Sequence, residues 1–168
     1  MPTSATLLLD DKQIKQKIDR IAYQIFEDNS EESEIIIAGI AKSGFVFAQR
    51  LNEAFSKISV IKTHLIEIKL NKDIPTEVAL KPSLNNETLK GKVVVVVDDV
   101  LNSGKTLTYS LRPFLEADMK KIRTVLLVDR DHKRYPIVAD FVGTTLSTTL
   151  QEHIRVEFTE GNASVYVE

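Results

Sequence analysis

The chain has 168 residues, with 22 Lys+Arg against 24 Asp+Glu, no Cys, no Trp, 43% hydrophobic and 27% charged residues. That length buries a core without covalent staples, and the absence of cysteine excludes a thiolate zinc site and a cysteine nucleophile. Residues 1–84 and 85–168 each carry 11 basic and 12 acidic side chains, an even balance that argues against a strongly electropositive nucleic-acid binder. The apolar run Val93–Val97 is far too short to cross a bilayer. Met1-Pro2-Thr3-Ser4 lacks the basic start and apolar stretch of a signal peptide, so a cytoplasmic protein is expected.

Residues 11–28 place Ile14, Ile18, Ile21, Ala22, Ile25 and Phe26 on one helical face, with Asp10 or Asp11 as N-cap. Glu34–Ile40 is a β-branched run ending near Gly39. The turn Ala41–Gly44 follows, then a helical pattern through Phe45, Ala48, Leu51 and Phe55. Residues 60–70 form a further strand candidate. Lys92–Val97 is continuous valine rather than alternating, as a strand buried on both faces of a parallel sheet requires. A helix is expected over 105–117, kinked or shortened by Pro113, followed by a strand over 122–128. Strands alternating with helices predict one α/β domain over 1–168 with a mostly parallel central sheet flanked by helices. Residues 71–90, with Pro75 and Pro82, are long for a connection and are expected to form a flexible cover. Residues 135–168 break into short strands and are expected to form a small β-rich hood.

The informative stretch is Val93–Thr106. Two carboxylates, Asp98 and Asp99, stand at the carboxyl end of a buried strand, where open α/β sheets bind ligands. The turn after them, Asn102-Ser103-Gly104-Lys105-Thr106, opens a helix, and its backbone N–H groups and hydroxyls suit a phosphate. Two acids beside an anion site repel that anion unless they serve vicinal hydroxyls or a divalent metal. A sugar phosphate satisfies both halves. A structural Asp-rich turn with a Ser/Thr cap is the alternative. A nucleotide P-loop is excluded because Asp99 stands where its first glycine belongs. A response-regulator receiver is excluded because too little chain follows the strand. His64, His132 and His153 share no metal-ligand spacing.

With these residues in view, Val96–Thr106 resembles the phosphoribosyl pyrophosphate (PRPP) signature of type I phosphoribosyltransferases. Arg20-Ile21-Ala22, Gly39-Ile40 with Gly44, and the run 128–143 are most similar to the PyrR family, pyrimidine-operon attenuators that are also uracil phosphoribosyltransferases. The resemblance implies transfer of phosphoribose from PRPP to a nucleobase, uracil foremost, with magnesium travelling on the PRPP and a homodimer or homotetramer as the assembly. It assigns Asp98 and Asp99 to the ribose hydroxyls, as catalytic residues with Lys72 and as possible metal ligands. Val100, Leu101, Asn102, Ser103, Gly104, Lys105 and Thr106 complete the PRPP site, and Leu101–Thr106 take the 5-phosphate. Ala41, Lys42, Ser43 and Gly44 form the pyrophosphate loop, and Asp129, Arg130 and the backbone around Phe141 and Val142 line the base pocket. Core-strand packing for Phe141 and Val142, and a surface ion pair with Asp131 for Arg130, are the alternatives.

The chain departs from the family in four places. Ala41-Lys42-Ser43-Gly44 replaces Lys-Thr-Arg-Gly, leaving one cation where two are usual, and Lys lacks the bidentate grip of Arg. Asn71-Lys72-Asp73-Ile74 replaces Tyr-Arg-Asp-Asp in the cover. Asp19 and Tyr23 stand where Thr and His flank Arg-Ile-Ala, and Leu150 replaces an arginine of the family's Ser-Arg-Ser turn, which weighs against an RNA partner. The alternatives kept open are a PRPP or nucleotide-binding regulator with little turnover, and the RNA attenuator.

Overall fold

The computed structural model describes residues 4–71, 73, 74 and 76–168. Helix α1 spans Asp11–Asp28 as the periodicity requires. Asp10 and Gln13 close a reciprocal capping box at its start, and Ile14, Ile18, Ile21, Ala22 and Ile25 are buried. Strand β1, Thr6–Leu9, precedes it and carries no motif in the sequence. Next come β2 (Glu34–Ile40), α2 (Ser43–Ile58) and β3 (Lys62–Leu70). The strand expected from residue 60 starts two positions later, and Val60 is fully exposed.

The expected cover contains β4, Val78–Ala79, antiparallel to the end of β3. It also contains α3, Asn86–Leu89, whose N-cap Asn85 accepts from the amides of Glu87 and Thr88. Leu80 and Leu84 pack on the core and Leu89 is buried, so the second half of this segment is tied down. Strand β5 spans Val93–Leu101. The helix expected over 105–117 splits into α4 (Lys105–Ser110) and α5 (Arg112–Glu116). Pro113 has no N–H to continue the helical ladder and disfavours helical backbone just before it. Strands β6 (Lys121–Asp129), β7 (Phe141–Thr145), β8 (Ile154–Thr159) and β9 (Asn162–Val167) complete the chain.

The described residues form a six-stranded sheet of order β4-β3-β2-β5-β6-β7 and a three-stranded sheet of order β1-β9-β8. All neighbours in the large sheet are parallel except β3 and β4. The segment expected as a hood therefore divides: β7 joins the main sheet, whereas β8 and β9 pair antiparallel with each other and with the amino-terminal β1. Among the described residues no helix is long and apolar enough to cross a membrane.

The valine run shows why both faces of the main sheet must be covered. Val93, Val95 and Val97 join Ile35, Ile37, the apolar faces of α1 and α2, and Ala163 and Val165 of the small sheet. Val94 and Val96 point the other way, onto Ile36, Leu107 and Phe114. Each fully buried side chain of this size contributes about 1.5–3 kcal/mol relative to exposure.

Polar contacts concentrate where the strands begin. Glu34 accepts from Lys92 at 2.5 Å and meets His64 at 2.9 Å. Asp28 receives Arg123 at 2.9 Å and Lys121 at 3.2 Å. Beside β7, Arg20 of α1 donates to the carbonyls of Val142 at 3.1 Å and Gly143 at 2.8 Å.

Phe114→Ala, which empties a wholly buried position under the second face, is expected to cost about 3–5 kcal/mol in urea unfolding. The Lys92 hydrogen bond, then that of His64, hold the Glu34 carboxyl down at about 2 against an ordinary 4.5. A carboxyl whose pKa is depressed by folding stabilises above its unfolded value, and that contribution drains away as pH falls through the folded one. Acid titration should therefore show Glu34→Gln losing less stability than the parent between about pH 4.5 and 2.

Candidate active site

The site lies where two neighbouring strands send their connections apart. β2 leads through α2, on one face, to β3. β5 leads through α4 and α5, on the other face, to β6. A crevice opens at such a switch point, beyond the carboxyl ends of the strands. The β2–β5 pairing ends at Gly39 opposite Val97, while β5 continues beside β6 until Leu101 meets Asp129. Asp98 and Asp99 thus lie within the strand, in the stretch that β2 no longer accompanies, rather than past its end.

Backbone amides hold both carboxylates. Asp98 Oδ1 accepts from the Asp99 amide and Asp99 Oδ1 from the Val100 amide, each at 2.9 Å. Asp98 is buried and Asp99 half-buried. The Ala41–Gly44 turn, entered through a cis Ala41–Lys42 peptide, abuts them directly. A Cβ added to Gly44 would meet Asp98 Oδ1 at 2.7 Å and the Val97 carbonyl at 3.1 Å, so glycine is what lets the turn approach the acids. Lys42 is exposed at the mouth.

On the far side, Gly104 initiates α4 at φ +86°, a conformation that side chains resist. A Cβ there would also meet Ile137 Cγ2 at 2.7 Å. The Ser103 carbonyl accepts from the amides of Arg134 and Tyr135, at 2.8 and 3.1 Å, which fixes the outside of the turn. Asp98 to Leu107, together with Ile154 of β8, line a cavity of about 190 Å³. Ala41–Gly44, Leu70, Asp98 and Asp99 line another of about 400 Å³. The acid pair is common to both.

The structure therefore brings Asp98–Thr106, marked by its own residues, beside Ala41–Gly44, assigned by the resemblance. Lys72 lies outside the described residues. Asp129 stands at the same mouth, buried at the end of β6, accepting from the Asp131 amide at 2.9 Å and facing Lys133 at 3.7 Å. Phe141 and Val142 do not reach it. They pair with Val125 and Leu126, four and three residues before Asp129, about 10–13 Å down the strand at the usual rise. Their half-buried side chains pack on the two cores, as in the core-strand alternative.

Arg130 is no surface partner of Asp131. It is only 8% exposed, and its guanidinium donates to Asn102 Oδ1 at 2.8 Å, Thr148 Oγ1 at 3.0 Å and the carbonyls of Thr149 and Glu152 at 3.3 and 2.5 Å. His132 Nε2 also meets the Thr148 carbonyl. The turn 148–152 and Ile154 carry no motif that marks them for the site. The usable signal is that Arg130 directly follows the strand neighbouring the acids.

Comparison with known proteins agrees with this arrangement. Residues 4–159 match the phosphoribosyl transferase domain family. The chain is 36% identical over 166 residues to the bifunctional protein PyrR of Clostridium novyi, covering 92% of this chain and 91% of that protein. It is 34% identical over 167 residues to that of Fusobacterium nucleatum, covering 95% and 94%. Among solved structures, the hypoxanthine phosphoribosyltransferase of Trypanosoma cruzi superposes with a TM-score of 0.77 over 95% of both chains at 18% identity, a likeness of fold. The match over nearly the whole length, and the acid pair beside its glycine turn, make this chain a type I phosphoribosyltransferase of the PyrR family.

Proposed function

We propose that this chain transfers the phosphoribosyl group of PRPP to uracil, releasing pyrophosphate and forming UMP in the cytoplasm. One observation carries this: Asp98 and Asp99 lie between two cavities, the Leu101–Thr106 turn on one side and the Ala41–Gly44 turn on the other. PRPP presents its groups in the same order, a 5-phosphate, a ribose with vicinal hydroxyls, and a pyrophosphate on C1. Asp98 and Asp99 accept from the two hydroxyls. Backbone N–H groups and the hydroxyls of Ser103 and Thr106 hold the 5-phosphate, and Lys42 attracts the pyrophosphate.

In the transfer, the C1–oxygen bond to pyrophosphate breaks, a bond forms between C1 and N1 of uracil, and the N1 proton passes to the departing pyrophosphate. Positive charge gathering on the ribose is stabilised by the two fixed carboxylates beside it. Segment 71–90 covers the site and excludes water from the reactive sugar. The donor set fits magnesium carried on PRPP, for that ion takes one or two carboxylates beside substrate phosphates. Held by Asp98 or Asp99, it would offset charge on the leaving pyrophosphate.

Two other readings have specific residues behind them. Lys42 alone is cationic in the Ala41–Gly44 loop, which favours a PRPP-binding regulator of low turnover. An RNA attenuator would need a phosphate-attracting face, yet Asp19, Tyr23 and Leu150 are all exposed, and an acid and two uncharged side chains there weaken contact with a phosphate backbone. We accordingly propose a small-molecule enzyme without an RNA partner.

Pyrophosphate release should be seen with PRPP and uracil, and not with hypoxanthine, guanine, xanthine or orotate. PRPP binding without turnover on any base would instead establish the regulator. A pyrimidine leader RNA should fail to bind even at low salt. Asp98→Asn with Asp99→Asn keeps the oxygens that accept from the amides of Asp99 and Val100. It is expected to weaken ribose 5-phosphate binding at least about tenfold with little change in melting temperature, and unchanged calorimetric affinity would reduce the pair to a structural turn.

A further inference from the structure

We infer that Arg130 is a positioning residue for the phosphate cradle. Its buried guanidinium takes the amide oxygen of Asn102, commits that side chain to offering N–H donors to a ligand phosphate, and ties the cradle to the turn at 148–152. The inference rests on the ribose phosphate assignment above.

A guanidinium has donors and no acceptor. Its 2.8 Å contact with Asn102 Oδ1 therefore fixes which end of the amide faces it, and the two N–H donors are left for the cavity that Asn102 lines. With the amide turned over, the oxygen would meet an anionic ligand and repel it. A cation withdrawn this far from water is stable only with its N–H groups satisfied. The oxygens that satisfy it are held in turn: Asn102 in the cradle, and Thr148, Thr149 and Glu152 in the turn before β8. The Thr149 amide donates to the Glu152 carboxylate at 2.6 Å, which closes the turn on itself. One planar fork thus sets the spacing between the phosphate loop and the strand whose Ile154 forms part of the cavity wall. Lysine, a point donor, cannot reproduce it.

Calorimetric titration with ribose 5-phosphate of the parent protein, N102A, R130K and the double variant tests this. Each single substitution is expected to weaken affinity about tenfold. The double variant should be no weaker than the weaker single, since both remove the same donor group. Losses that multiply would overturn the inference, because Arg130 would then act independently of Asn102. N102D keeps an oxygen for the guanidinium and so should preserve the melting temperature, while removing both N–H donors and losing affinity. Parent-like affinity in N102D would overturn the inference whether or not R130K folds. A parent protein that does not bind ribose 5-phosphate would overturn the ribose phosphate assignment itself, which multiplying losses would leave standing.

Discussion

Where β2 stops accompanying β5, at Gly39 and Val97, one strand of the sheet gains an open flank for its last residues while its other flank remains paired to β6. Everything at the site follows from that divergence. Asp98 and Asp99 keep the rigidity of a strand, and the chain leaving β2 is free to turn across them. Opposite departures of α2 and α4 then leave one turn on each side of the acids. In the function we propose, a sugar bearing a phosphate at each end occupies the space between these turns, and it is the sheet rather than any loop that sets their separation.

Charge is handled by placement rather than by total. The net charge is only −2, yet the site combines two acids with surfaces that suit anions. In the function we propose, backbone N–H groups contribute attraction for phosphate without adding formal cations that could pair with the acids. The formal ion pairs at Glu34 and Asp28 lie at the other ends of the strands, away from the mouth. Lys105 lines the same cavity, and Arg130, a further cation near the cradle, has neutral oxygens rather than a carboxylate accepting from its N–H groups.

Much of this was legible in the residues themselves. The first helix follows from one apolar stripe, and the central strand from valines with no polar face. Pro113 marks where the helix after the cradle breaks. Asp98–Thr106 was legible because its local chemistry, small residues after two acids at a strand end, is written contiguously, whereas Ala41–Gly44 read only as a strand–helix turn until the resemblance assigned it to pyrophosphate. What escaped depends on contacts between segments distant in sequence. β1 is four residues made a strand only by pairing with β9, at the opposite end of the chain. Phe141 and Val142 look suited to a pocket until the register with β6 sets them below it. The partners of Arg130, assigned by resemblance to the base pocket with a surface ion pair as the alternative, emerge only when the turn at 148–152 folds over it.

The contact of Arg20 with the last strand has a consequence for solubility. A parallel sheet must end somewhere, and a bare edge with unsatisfied carbonyls and amides is a template on which another chain can add a strand. Here β4 covers only Lys69 and Leu70 of β3, and the rest of that edge carries Lys62, Thr63, His64 and Glu67, charged and polar side chains that discourage such an addition. On the other edge the guanidinium of Arg20 already occupies the carbonyl oxygens of Val142 and Gly143. The side chain that anchors α1 to β7 thereby helps keep a valine-rich sheet from growing into its neighbours.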